Sequence, residues 1–91
     1  MRKGYNFFAQ MLEESSVDAV PGQPIVEIAG DRRVLIENHL GVAAYGRENI
    51  LVHVKFGSVC ICGCNLEMLH MTKEQLVIHG RIDSVVLQRR R

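Results

Sequence analysis

No tryptophan occurs among the 91 residues, and two tyrosines with three phenylalanines bring aromatic content to only 5%. That is too sparse for a platform on which nucleic-acid bases stack. Net charge is scarce as well: eleven Lys and Arg stand against ten Asp and Glu, for +1. No long-range pull toward nucleic acid or an anionic membrane is therefore expected beyond local patches. No apolar run approaches the ~20 residues that span a bilayer. The start has a basic lead in Arg2 and Lys3, but Gln10, Glu13 and Glu14 interrupt its apolar run, unlike a cleavable signal peptide. The three cysteines are an odd number crowded into Cys60, Cys62 and Cys64, which argues against a disulfide framework and for a reducing cytoplasm. Gly41, Gly46, Gly57, Gly63 and Gly80 are isolated at expected strand ends or turns, so no phosphate-cradling loop is present. Glu37, Glu48, Glu67 and Glu74 are scattered, which leaves no acid–base dyad. A single domain of this size buries a modest share of its surface and leans on a partner or on self-association.

What the chain does have is alternation. Ile50, Val52 and Val54 point one way and Leu51, His53 and Lys55 the other; the pattern breaks at Gly57-Ser58 and resumes at Val59 and Ile61. Sliding the sequence by 26 residues lays 40–61 on 66–87 with five identities: Leu40/Leu66, Glu48/Glu74, His53/His79, Ser58/Ser84 and Val59/Val85. Residues 25–38 have the same layout around Gly30-Asp31, so three hairpins are expected to carry most of the protein. Strands are expected at 25–29, 33–38, 42–45, 50–56, 59–62, 66–70, 75–79 and 82–87. Ahead of them Tyr5, Phe8 and Leu12, widened by Phe7 and Met11, form an apolar stripe at helical spacing. Residues 4–15 therefore read as a short amphipathic helix that covers a sheet face, and Pro21, Gly22 and Pro24 make an extended linker. The expected fold is all-β, an antiparallel sandwich or meander of repeated hairpins with an N-terminal helix. A small β-solenoid is the alternative that the internal repeat allows. The chain divides into a helix and linker at 1–23, a β domain at 24–88 and a basic tail at 89–91.

Only cysteine and histidine offer chemistry. With Phe56-Gly57 as a two-residue turn, Leu51 faces Cys62 and His53 comes opposite Cys60. His53, Cys60 and Cys62 are thus the candidate metal ligands. A Cys-x-Cys-x-Cys run on a flat strand fans out, however, whereas zinc needs ligands converging near 2.3 Å. The cysteines are read instead as compact hydrophobes on a second buried face or an interface. His39 and His70 fall near expected strand ends, and the tail from Arg89 to Arg91 reads as a solvated end. No nucleophile, base and orienting group that meet can be nominated, so no enzyme, catalytic residue, cofactor or small-molecule substrate is expected.

These residues also carry a resemblance. The run Val34-Leu35-Ile36-Glu37-Asn38-His39-x-Gly41-Val42, then Ile50-x-Val52, GSVCICG at 57–63, Asn65-Leu66 and EQLVIHGRIDSVV at 74–86 is similar to the YabP/YqfC family of sporulation proteins, closest to its YqfC side. The resemblance covers about 24–87 and consists of strand and glycine patterns rather than catalytic motifs. It implies a small protein of endospore-forming bacteria, made in the mother cell for late spore development, including maturation of the outer layers. It implies association with a YqfD-like membrane protein and a peripheral place at the forespore outer membrane. The cysteine cluster and the arginine tail depart from the family pattern. The expected role is a noncatalytic assembly or adaptor module that self-associates or binds a membrane partner through a strand edge. A metal- or ligand-binding regulator built on His53, Cys60 and Cys62 is the alternative.

Overall fold

In a computed structural model that describes residues 22–90, every regular element is a β-strand. The expected helix at 4–15 lies outside the described residues. The strands are β1 (Ile25–Ala29), β2 (Arg33–Glu37), β3 (Val42–Tyr45), β4 (Asn49–Val54), β5 (Gly57–Met71) and β6 (Gln75–Arg89). They form one six-stranded sheet in the order β1-β2-β6-β5-β4-β3, with every pairing antiparallel. The all-β antiparallel expectation holds. Strands stacked in parallel, as a solenoid would need, are not what the described residues form.

Six strands replace the expected eight because 59–62 joins 66–70 and 75–79 joins 82–87, giving two strands of 15 residues each. Gly63 and Gly80, expected at breaks, lie inside these strands. A β-carbon on Gly63 would fall 1.8 Å from the Arg81 carbonyl oxygen, and one on Gly80 would fall 2.7 Å from the Asn65 carbonyl oxygen. Each glycine lets the neighbouring backbone pass at a distance no side chain permits, and the register shifts beside it at Cys62/Gly63 and between Cys64 and Glu67.

The 26-residue repeat is realised only in part. Its first halves correspond: β3 turns at 46–48 into β4 as the end of β5 turns at 72–74 into β6. In the first copy the chain reverses again at Lys55-Phe56, whereas the equivalent Arg81 and Ile82 continue straight through β6. The hairpin expected over 74–87 is therefore a single bulged strand.

Those bulges fold the sheet on itself. β3, β4, the first half of β5 and the second half of β6 make one layer, and β1, β2, the first half of β6 and the second half of β5 make the other. Curling is required by the β2–β3 link. Four residues, 38–41, join strands separated by four spacings in the sheet order, about 19 Å if flat and near the limit of extended chain. Between the layers lie Val34, Ile36, Ile50, Val52, Val54, Val59, Ile61, Leu76 and Ile78, all with no exposed surface. Val26 and Val42, from the edge strands at opposite ends of the order, pack against this same core. Burying such side chains contributes about 1.5–3 kcal/mol each relative to exposure, which is what holds the two layers together.

Candidate functional site

The cysteines lie on the outer face of the first layer. Because Val52, Val54, Val59 and Ile61 point inward, the alternate residues face out and form cross-strand rows: Asn49–Cys62–Ser84, Leu51–Cys60–Val86 and His53–Ser58–Gln88. His53 is thus opposite Ser58, not Cys60, and Leu51 is opposite Cys60, not Cys62. The expected register was wrong by two residues because the turn is Lys55-Phe56 rather than Phe56-Gly57. Gly57 belongs to the ladder, paired with both Val54 and Arg89. Its φ is +156°, and a β-carbon there would lie 2.1 Å from the Gln88 carbonyl oxygen. A two-residue slip preserves which side chains face inward, so alternation alone does not choose between the two registers.

A second expectation also fails. Same-face positions on a strand repeat at about 6.6 Å, yet the Cys60 and Cys62 sulfurs lean together to 3.6 Å in a thiol–thiol hydrogen bond. Burial pushes the Cys60 thiol above its ordinary pKa, and its hydrogen bond and then its charge interaction with Cys62 push it the same way. A thiol held neutral is a weak nucleophile, so Cys60 behaves as half-buried packing hydrogen-bonded to Cys62. His53 is exposed on a neighbouring row, and Cys64 lies beyond the Cys60–Cys62 pair, opposite Arg81. Among the described residues, no three of His, Cys, Asp and Glu converge in a way that could hold a metal ion. A shallow hollow lined by Leu51, His53, Ser58, Gln88 and Arg90 adjoins this face.

Arg89 and Arg90 are tied to the β4–β5 turn. Arg89 is the last residue of β6, with its guanidinium 5.9 Å from the centre of the Phe56 ring. Arg90 donates from its backbone N–H to the Phe56 carbonyl and from Nη2 to the Lys55 carbonyl, both at 2.8 Å, so it caps the β4–β5 turn. His70 and His79 face Val77 and Glu67 across the β5–β6 ladder.

His39 was noted only as lying near a strand end, and the structure gives it a larger part. It is buried, with 6% of its surface exposed. Nδ1 accepts the Gly41 N–H at 3.0 Å, which leaves Nε2–H to donate to the Thr72 carbonyl at 2.9 Å. Its neighbours complete a clasp: Asn38 N–H donates to the Glu74 carbonyl at 2.6 Å and Asn38 Nδ2 to the Gln23 carbonyl at 2.9 Å. Leu40 N–H and His53 N–H exchange bonds with the His53 and Gly41 carbonyls at 2.7 and 2.8 Å. Asn38 holds φ at +63° and Gly41 at +119°, conformations that asparagine and glycine tolerate best. The Asn-His-x-Gly run is thus the stitch that carries the chain from one layer to the other. The sequence signal was present in that spacing, but the partners lie up to 36 residues away (Asn38 to Glu74).

A folded-over antiparallel sheet of six strands, with an apolar row on one outer face and a clasp of backbone and His39 hydrogen bonds between its layers, defines a small all-β domain. The chain belongs to the YabP family, whose family model matches residues 22–91. It matches no curated protein and no solved structure.

Proposed function

We propose that this chain is a noncatalytic assembly or adaptor module of late spore development, on the YqfC side of its family. It works in the mother cell, peripheral to the forespore outer membrane, by self-association and by binding a YqfD-like membrane protein. The observation that carries the reading is the edge of β6 that is open among the described residues: the β2 pairing stops at Gln75–His79 while β6 runs on to Arg89. An unpaired edge offers a row of backbone donors and acceptors to an incoming strand without special side-chain chemistry. Family membership supports the sporulation setting.

The test combines the purified chain with a detergent-solubilised YqfD-like protein. Co-elution at a fixed ratio supports the adaptor role, and separate elution refutes it. The regulator alternative draws on the 3.6 Å Cys60–Cys62 contact and is separated by replacing both residues with serine in a sporulating host. A scaffold keeps normal yields of heat-resistant spores under that change. Loss of spores from a protein that still folds would transfer the function to the thiol pair.

A further inference from the structure

Past residue 82, the side of β6 away from β5 has no partner strand among the described residues. Ile82 N–H still donates across to the Asp31 carbonyl at 2.7 Å, on the β2 side. At the other end, Arg90 N–H donates to the Phe56 carbonyl at 2.8 Å, on the β5 side. Backbone groups alternate sides along a strand, so those of Gln88, Val86 and Ser84 face β5 while those of Leu87 and Val85 face out. The register shift between Ile82 and Ser84 reconciles the two ends. This free stretch reads Ser84-Val85-Val86-Leu87-Gln88, with no charge and no proline to blunt it.

The stretch is self-complementary. Turned antiparallel on a copy of itself about Val86, it sets Val86 against Val86, Val85 against Leu87 and Ser84 against Gln88. Apolar meets apolar and polar meets polar. The flanking charges agree, since Asp83 at one end comes to the end where the second copy carries Arg89. Both faces gain from the pairing. Val86, 43% exposed, ends the outer row Leu51–Cys60–Val86, which a second copy would continue. Leu87, 60% exposed, lies on the core side opposite Val59, where the layer has no further strand among the described residues. The other edges suit this less well. A two-fold at the centre of β1 would set Glu27 against Glu27, and β3 is four residues long with an irregular register between Val42 and Ala44.

We propose that two copies of this chain pair edge to edge along β6, antiparallel about a two-fold axis at Val86, so that one sheet runs through both. The inference rests on the assembly reading and names its surface and its occupant. The contact is isologous, so it closes at two copies and leaves β1 and β3 free for a different partner.

The full chain, in reductant, is passed over size exclusion with light scattering. Twice the mass of one chain is expected. Val86→Lys should give the mass of one chain with an unchanged circular dichroism spectrum, because the axis sets the new charge against itself. Val86→Glu should do the same, and mixing the two variants should restore the doubled mass. With Cys60, Cys62 and Cys64 replaced by serine, Val86→Cys should cross-link two chains on mild oxidation. Cα atoms in a non-hydrogen-bonded antiparallel pair lie about 4.5 Å apart, within disulfide range. A doubled mass that survives Val86→Lys, or no cross-link in a dimeric Val86→Cys protein, overturns the β6 pairing and leaves the assembly reading standing on another edge. A wild-type chain that stays single at every concentration overturns the pairing and removes self-association from the assembly reading too.

Discussion

Substituting Gly63 by alanine tests the crossing on which the folded sheet depends. The added methyl would stand 1.8 Å from the Arg81 carbonyl oxygen, 2.9 Å from the Arg81 carbonyl carbon and 3.2 Å from Asp83 N, all backbone atoms. A carbon and an oxygen settle at about 3.3 Å or more, so β6 must retreat from β5 by roughly 1.5 Å. Overpacking alone costs about 1–3 kcal/mol. The retreat also strains the β5–β6 ladder on either side of the Cys62/Gly63 shift, at about 1 kcal/mol for each of about two bonds lost. Together these give about 3–5 kcal/mol, a large part of the roughly 5–15 kcal/mol that holds a domain folded. At about 4–8 °C per kcal/mol for a chain of this length, the melting temperature should fall by about 12 °C or more. Thermal and urea denaturation followed by circular dichroism read the change. Gly30→Ala is the control: its φ is +59° with no atom within 4 Å of the added methyl, so it carries only the left-handed backbone cost of about 1–2 kcal/mol. A Gly63→Ala protein that melts within about 3 °C of the parent, or no lower than Gly30→Ala, would refute the close crossing.

Two further outcomes follow from the site. His39→Ala leaves the Thr72 carbonyl and the Gly41 N–H without their partner, at about 1–3 kcal/mol for each buried group. Urea midpoints should drop accordingly, and hydrogen exchange at Gly41 should speed up before the strands open. Cys60 makes stability depend on alkaline pH. Burial first, then Cys62, raises its folded-state pKa, so the folded chain holds this proton more tightly than the unfolded one. The contribution is complete below the ordinary thiol value of about 8.5 and is lost as pH rises through the raised one. Urea midpoints between pH 7 and 10 should fall more steeply for the parent than for Cys60→Ser, and parallel curves would count against the buried thiol.

Local pattern made much of the fold legible. The bounds of β1 and β3 are as expected, because their edges coincide with Gly30, Gly41 and Gly46. The inward set Ile50, Val52, Val54, Val59 and Ile61 is buried as alternation requires. The candidate site was harder to read. Its members were named, but His53 was set beside the wrong partner and the Cys60 and Cys62 sulfurs were expected to diverge. A turn displaced by one residue moves the register by two, and a side-chain lean depends on neighbours that a periodic pattern does not contain.

The sequence by itself therefore determined the class of structure, the inward faces and the kinship with the YabP family, since each rests on residues within one strand or one short motif. The tertiary structure decided whether a glycine ends a strand or lets two strands cross. Gly63 and Gly80 look alike in sequence to Gly41 and Gly46, and the difference is the passing backbone of Arg81 and Asn65. It also decided that the second copy of the repeat runs straight, that His39 joins the two layers and that β6 outruns its pairing with β2. These outcomes belong to pairs of groups distant along the chain, and their energies exist only once the sheet has folded over.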